Sequence, residues 1–202
     1  MAEPGRRERK RREKLDHIAQ TGFGLFEAHG YDAVTMEQIA AEADVAKGTL
    51  YSHFPVKEAV LAHWIHMQLE QDLERLLPIC LADGSFKRGA RRLLEASASW
   101  HEQHRDYLLP YLRYRFVNVG QPKVEENDAR ADLVRAFFAL ISAAQKSGEL
   151  RSAQPAARLA LFFHFLYLAA LMRWLSTAKS DLHDEFAAAL DLFLKGSRSS
   201  KS

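Results

Sequence analysis

The stretch Val45–Phe54, with the sequence VAKGTLYSHF, decides the fold of the first quarter of this 202-residue chain. Only Leu50 and Phe54 are residues of the kind that fills a core, and their spacing of four places them on one face of a helix. Pro55 disfavours a helical conformation in the residue before it, so the helix ends there. Because so short a helix is not stable alone, we expect Leu50 and Phe54 to anchor it on neighbouring helices.

Two helices are predicted before this stretch. The first covers 12–29, where apolar residues recur at helical spacing. The second starts after Thr35, whose hydroxyl can cap the amide of Gln38 while the Gln38 side chain reaches back, and it ends near Asp44. Two short helices joined by a tight turn form a helix-turn-helix, whose second helix enters the major groove of DNA.

The remainder of the chain has the same helical character. Glycine and proline number only 10 and 6, and no pair of strands carries a hairpin signal. We therefore predict an all-α fold of about nine helices. The later helices are expected at about 57–78, 86–103, 105–117, 124–147, 155–177 and 182–195.

Positive charge is concentrated at the N-terminus. The net charge is +2, but residues 1–14 hold seven cationic side chains against three carboxylates, a local balance of +4. A basic arm beside a helix-turn-helix suits a polyanion, and we expect its arginines to enter a DNA minor groove. A solvated, disordered leader fits the same composition. The candidate arginines are Arg6, Arg7, Arg9, Arg11 and Arg12.

A family resemblance rests on TMEQIA at 35–40, on Val45–Phe54 and on Lys57-Glu58. These motifs resemble the DNA-binding signature of the tetracycline-repressor (TetR/AcrR) family, over His17 to Leu61. The resemblance implies three parts. Residues 1–56 form a basic arm with a three-helix DNA-binding domain, residues 57–195 form a helical domain for ligand binding and dimerisation, and residues 196–202 form a mobile tail.

The resemblance also assigns DNA-contacting residues. It implies that Thr35, Tyr51, His53 and Lys57 touch phosphates, and that Lys47, Gly48, Thr49 and Ser52 lie at or near base edges. The chemistry agrees, because the side chains are hydrogen-bond donors, and Thr35 and Lys57 lie at predicted helix starts, where free amides attract a phosphate. Gly48 allows close approach of the backbone, at a helix-propensity cost of roughly 1 kcal/mol.

Two positions depart from the family pattern. The family has a small polar residue before the lysine of the recognition helix and before the lysine of the next helix, where this chain has Ala46 and Val56. Neither side chain can accept a hydrogen bond as an N-cap, which costs about 1 kcal/mol per helix end.

The C-terminal part suggests a partner. Leu159 to Met172 is apolar all round, which in a soluble protein means burial on every side, and a monomeric core is the alternative to a dimer. The resemblance implies a two-helix surface that completes a four-helix bundle in a homodimer, and a two-fold dimer reads a palindromic DNA operator. The candidate interface residues are Phe162, Phe165, Leu166, Phe186, Leu190 and Phe193.

A second set of aromatic and polar residues suits either a ligand cavity or an ordinary core. In the family, a ligand in this part of the chain displaces the helix that matches residues 57–77 and lowers operator affinity. We expect a small, mostly apolar effector of unknown identity. The candidate lining residues are Trp64, Met67, Trp100, His104, Tyr107, Tyr111, Phe137 and Phe138.

Other functional classes find little support. The pairs His63/His66 and His101/His104 lack a third ligand, Cys80 has no basic neighbour in sequence, and no nucleophile elbow or nucleotide-binding fingerprint occurs. We expect no metal, no cofactor and no enzymatic activity. The longest apolar run is shorter than the roughly 20 residues of a bilayer span, so we expect a cytoplasmic protein without membrane contact.

The sequence therefore predicts a cytoplasmic, homodimeric DNA-binding transcriptional repressor that a small molecule releases from its palindromic operator. Two alternatives from other classes are a helical enzyme or carrier that uses the aromatic residues as its pocket, and a membrane-surface protein that uses the basic arm.

Overall fold

The structure, a computed structural model, describes residues 5–117, 129–150 and 153–196. Within these ranges every regular element is an α-helix, which confirms the predicted fold class. The expected helical residues 124–128 and the expected tail beyond Gly196 lie outside the described residues. The nine helices of the described ranges are α1 (Arg6–His29), α2 (Met36–Glu42), α3 (Lys47–His53), α4 (Lys57–Ala82), α5 (Phe86–Gln103), α6 (Arg105–Val117), α7 (Ala129–Ser147), α8 (Ala156–Ser176) and α9 (Leu182–Gly196).

The basic segment is helical, which corrects the predicted helix start at residue 12. Helix α1 begins at Arg6 because Arg, Lys and Glu are strong helix formers, and because opposite charges lie three or four residues apart. Arg9 lies 3.8 Å from Glu13, and Arg11 lies 3.6 Å from Glu8. The candidate arginines therefore project from the first turns of α1 rather than from an extended arm.

Helix α4 also differs from its prediction, because it continues past Pro78 to Ala82. Proline in a helix removes one hydrogen bond, but packing of the last turn offsets this cost. Cys80 is buried in that turn, and its carbonyl lies against Gly89 of α5, where any side chain would clash. Burial raises the pKa of the Cys80 thiol, so this cysteine stays protonated.

The chain forms two compact units. The first takes in the described residues of Met1–Gln68 and Asp106–Asn127, and the second those of Leu69–Arg105 and Asp128–Ser202. The first unit thus extends beyond residue 56, where we predicted a domain boundary, and it includes α6 from Asp106 onward. The functional division at residue 56 stays a prediction.

In the first unit, helices α1 to α3 share a core with the start of α4. Helices α1 and α4 approach closely at Gly22, where an added Cβ would lie 2.7 Å from a methyl group of Val60. The Phe23 ring stacks on Trp64 with centroids 3.3 Å apart, and Tyr107 of α6 meets the same ring edge-on at 5.1 Å. The unit's fully buried side chains include Ile18, Phe26, Ile39, Leu50 and Leu61.

In the second unit, α8 packs between α7 and α9, and α5 also lies against both of these neighbours. The N-terminus of α5 has no cap from its own sequence; instead the Glu149 carboxylate accepts hydrogen bonds from the Phe86 amide at 2.7 Å and the Ser85 hydroxyl at 2.8 Å. Among the described helices, α8 alone has the length and apolar composition of a membrane span, and 44% of its most apolar window is buried in the unit.

The crossing of α1 and α4 can be tested with two glycines of the same helix. Gly22→Ala places a methyl group against Val60 and should lower the free energy of unfolding by about 1–3 kcal/mol. Gly24→Ala is the matched control, because nothing lies within 4 Å of its added Cβ, and it should raise stability by about 0.5–1 kcal/mol. Denaturant unfolding followed by circular dichroism measures both, and equal stability of the two variants would contradict the close crossing.

Candidate nucleic-acid interface

The start of α2 has the capping box that the sequence predicts. The Thr35 hydroxyl accepts a hydrogen bond from the Gln38 amide at 3.3 Å, and the Gln38 side chain accepts one from the Thr35 amide at 2.8 Å. The hydroxyl also lies 3.0 Å from the Gln38 Oε1, to which it donates. The side chain of Thr35 is thus engaged in holding the helix start.

The turn between α2 and α3 depends on Asp44, which has a φ of 51°. The amide of Val45 donates to the Ala40 carbonyl at 3.0 Å, and the Asp44 amide to the Ala41 carbonyl at 3.2 Å. This is a Schellman motif with aspartate at the left-handed position, where glycine is most common and aspartate is tolerated. The only signal for this role in the sequence is the aspartate that directly follows the predicted second helix.

Helix α3 presents a polar face, as its composition predicts. Leu50 is fully buried and Phe54 is nearly so, which leaves five residues exposed and Thr49 half-buried. No side chain caps the helix at Ala46, whose carbonyl accepts from the amides of Thr49 and Leu50. The exposed residues are Lys47, Gly48, Tyr51, Ser52 and His53.

Two of these exposed side chains meet a carboxylate of α2. The Tyr51 hydroxyl donates to Glu37 Oε1 at 3.2 Å, and the Lys47 ammonium lies 4.0 Å from the same oxygen. Partial desolvation, and then the Glu37 charge, raise the pKa of the Tyr51 hydroxyl, so it remains a donor at neutral pH. Sequence analysis did not single out Glu37, because its partners lie on another helix.

The basic start of α1 lies near the end of α3. Burial, and then the charges of Arg11 and Lys14, lower the pKa of His53. His53 is therefore neutral at pH 7 and offers hydrogen bonds rather than charge. Arg11 and Lys14 of α1 thus add positive charge near His53, at the C-terminal end of α3.

Lys57 occupies a different environment from the one its predicted phosphate contact requires. Its ammonium donates to the carbonyls of Tyr31 at 2.8 Å, Asp32 at 3.3 Å and Val34 at 3.4 Å, and lies 4.4 Å from the centre of the Tyr31 ring. An ammonium group has three N–H donors, and all three find carbonyls of the loop between α1 and α2. The structure thus shows Lys57 holding this loop against α4.

The predicted ligand-lining residues are distributed over both units. Trp64, Met67, Tyr107 and Tyr111 belong to the first unit, where Trp64 is buried against Phe23. In the second unit, the Trp100 ring stacks on His104 at 4.2 Å. Phe137 is fully buried, 4.6 Å from the Phe163 ring, which makes it core, whereas Phe138 is exposed on α7.

The second unit contains a polar network that the sequence did not reveal. The Tyr167 hydroxyl lies 2.8 Å from the Ser97 hydroxyl and 3.0 Å from Nε2 of His101. Burial lowers the pKa of His101 to about 4, so its ring is neutral at pH 7. Sequence analysis considered His101 only as half of a metal-binding pair, since a hydrogen bond between helices leaves no pattern in sequence.

The predicted dimer residues divide into exposed and buried groups. Phe162 and Phe165 on α8 are 51% and 47% exposed, and Leu166 is half-buried. Phe186, Leu190 and Phe193 on α9 are instead buried in the core of the second unit, where the Phe193 ring lies 4.6 Å from the Phe163 ring. Burial inside one chain disfavours an interface role for Phe186 and Leu190, whereas Phe193 also lines a surface groove together with Phe162.

Comparison with known sequences identifies the first unit. Residues 18–63 match the profile of the family described as "Bacterial regulatory proteins, tetR family". The uncharacterized HTH-type transcriptional regulator YuxN of Bacillus subtilis is 30% identical over 104 residues, which are 52% of this chain and 35% of YuxN. The HTH-type transcriptional repressor KstR of Mycolicibacterium smegmatis is 37% identical over 65 residues, 32% of this chain and 30% of KstR. The chain thus spans about a third of the length of these curated relatives.

Comparison with solved structures extends the likeness to the second unit. The crystal structure of Thermus thermophilus FadR, a TetR-family transcriptional repressor in complex with lauroyl-CoA, superposes with a TM-score of 0.78 and 26% identity. The superposition covers 93% of this chain and 97% of FadR. Residues 18–63 thus match the tetR family of bacterial regulatory proteins, and nearly the whole chain shares the fold of a TetR-family repressor.

Proposed function

We propose that this protein is a sequence-specific transcriptional repressor that binds a palindromic DNA operator as a homodimer and leaves it when a mostly apolar small molecule binds. One observation carries the proposal: α3 is anchored by Leu50 and Phe54 and exposes Lys47, Tyr51 and Ser52, with Thr49 half-buried between them. Such a face offers donors to base edges and phosphates in a major groove. The named relative KstR is a repressor, which supports the direction of regulation.

The cationic side chains at the start of α1 support DNA as the negatively charged partner of this protein. Exposed arginines and lysines follow one another along the first turns, and their influence on the pKa of His53 reflects their proximity to α3. Since α1 is helical there, we propose phosphate contacts beside the recognition helix as their role rather than insertion of an extended arm into the minor groove.

A dimer is supported by an apolar stripe on α8. We use "α8 stripe" for the exposed residues Phe162, Phe165, Ala169 and Met172, whose spacing of three, four and three keeps them on one face. Exposed Leu192 of α9 and a groove of about 470 Å³ lined by Phe162, Leu166 and Leu192 adjoin the stripe. Ridges and a groove of this kind suit packing against a second copy about a two-fold axis.

The effector class rests on a relative. FadR of Thermus thermophilus has been crystallised with lauroyl-CoA, whose acyl chain is long and apolar. The aromatic side chains of this protein suit contact with an acyl chain better than contact with a polar ligand. We therefore propose a ligand with an extended apolar part.

The DNA-reading face is tested by alanine substitution. Lys47→Ala and Thr49→Ala should each weaken binding to a duplex selected from a randomised library by roughly 1–3 kcal/mol, because each removes a base contact. Lys57→Ala is the contrasting variant: it should lower the free energy of unfolding by about 1–3 kcal/mol and leave the salt dependence of binding unchanged, because its ammonium holds carbonyls rather than phosphate. Fluorescence anisotropy over a salt series measures the binding.

Gly48→Ala separates DNA contact from folding. No described residue lies within 4 Å of an added Cβ at this position, so the variant should be more stable by roughly 1 kcal/mol because alanine favours the helix. The same methyl group should weaken operator binding, because it holds the backbone away from DNA. Wild-type operator affinity in Gly48→Ala, Lys47→Ala and Thr49→Ala together would refute the proposed interface.

The effector class is tested on the same complex. Addition of lauroyl-CoA at micromolar concentration should release the selected duplex and raise the melting temperature of the free protein, because a ligand that binds the folded state stabilises it. Coenzyme A without the acyl chain is the control. Equal effects of the two compounds would contradict recognition of an apolar chain.

The dimer face is tested by a charge in the stripe. Phe165→Glu should give a monomer in analytical ultracentrifugation, because a dimer would bury two uncompensated carboxylates. Phe138→Glu is a matched control, since Phe138 on α7 is similarly exposed but lies outside the stripe. A dimeric Phe165→Glu variant would show that the stripe is not the interface.

A further inference from the structure

Glu37 occupies an unusual place for an acidic residue at a DNA-binding face. It lies in the first turn of α2, and its side chain remains half exposed. Its Oε1 accepts the Tyr51 hydroxyl at 3.2 Å and lies 4.0 Å from the Lys47 ammonium. Lys47 and Tyr51 are one helical turn apart on α3, so a single carboxylate can reach both.

The chemistry of Glu37 excludes a direct contact with the DNA backbone. A carboxylate is repelled by phosphates, and any DNA that lies against Lys47 and Tyr51 also comes near Glu37. Removal of this charge would strengthen attraction to DNA of any sequence. A general DNA binder would gain from its loss, so the carboxylate must act on something other than overall affinity.

The two partners of Glu37 need positioning. Lysine carries its charge on a flexible four-carbon stem, and fixing that stem at an interface costs conformational entropy. The Tyr51 hydroxyl rotates about its ring bond and takes a direction only from its acceptor. A shared carboxylate restrains both groups before DNA arrives and partly neutralises the cation.

We propose that Glu37 is a positioning residue that determines specificity: it holds Lys47 and Tyr51 in the arrangement that the operator requires and opposes their use as general phosphate contacts. Binding to DNA of unrelated sequence depends on cations that displace counterions, and Glu37 reduces that contribution from Lys47. At the operator, the positioned donors offset the repulsion. This inference rests on the proposed DNA-binding function.

The test compares two isosteric variants that each remove one negative charge from α2. Glu37→Gln removes the charge beside Lys47, and Glu42→Gln removes it from the other end of the same helix. The probes are a duplex selected from a randomised library with the wild-type protein and a shuffled duplex of the same length. Affinity for both is measured by fluorescence anisotropy over a salt series.

We expect Glu37→Gln to bind the shuffled duplex about three- to tenfold more tightly, with a salt slope steeper by about one, because Lys47 is free to displace one more counterion. Affinity for the selected duplex should change less, so the ratio of the two affinities falls. Glu42→Gln should keep the wild-type ratio, because a long-range charge effect acts on both duplexes alike.

A second measurement needs no DNA. In protein labelled at the tyrosine Cζ, the pKa of Tyr51 measured by NMR should be lower in Glu37→Gln than in the wild type, because the Glu37 charge raises it. In Glu42→Gln it should be unchanged. This readout reports on the contact between Glu37 and Tyr51 even if operator binding is lost.

The outcomes separate this inference from the proposed function. A wild-type protein without salt-dependent DNA binding would refute the proposed function. Wild-type binding with equal affinity ratios in Glu37→Gln and Glu42→Gln would overturn the role of Glu37 alone, as would an unchanged Tyr51 pKa in Glu37→Gln.

Discussion

Burial of Leu50 and Phe54 is the constraint on which the proposed DNA-binding face of α3 depends. Helix α3 has seven residues, and only Leu50 among them is buried, while Phe54 closes its C-terminal end. Burying two such side chains is worth about 1.5–3 kcal/mol each, and the polar residues between them add little. The edge of the Phe54 ring also meets His63 at 5.5 Å, so this anchor reaches α4. Loss of either side chain would leave the donor residues without a fixed position.

The side chains proposed to contact DNA are already hydrogen-bonded within the protein itself. Thr35 closes a cap, Tyr51 donates to Glu37, and the Ser52 hydroxyl donates to the Thr49 carbonyl at 2.8 Å. These hydrogen bonds restrict the side chains before binding, which reduces the entropy that an interface must otherwise supply. Gly48 is the exception, because the free structure contains no neighbour and no positive φ that would require a glycine there. The proposed close approach of the backbone to DNA would give a reason for that glycine.

Local rules explain what the sequence could predict. The capping box at Thr35, the missing cap at Ala46 and the anchors of α3 all depend on residues within a few positions of one another, so their spacing was readable. Contacts between distant residues were not: Lys57 meets the Tyr31 carbonyl across 26 positions, and Tyr51 meets Glu37 across 14. Apolar composition also could not distinguish core residues from surface residues on α8 and α9, because phenylalanine is common both in a core and at an interface.

Three contacts hold the start of α4 against α1 and against the loop between α1 and α2. Gly22 lets Val60 approach α1, the Lys57 ammonium holds the loop between α1 and α2, and His63 hydrogen-bonds Asp16 of α1 at 2.7 Å. These contacts are spread over the first two turns of α4. They therefore oppose both sliding of α4 along α1 and rotation of α4 about any one of the contacts. A displacement of the first turns of α4 would therefore also move α1 and the loop before α2. Helix α2 packs in turn against α3, which carries the proposed DNA-binding face.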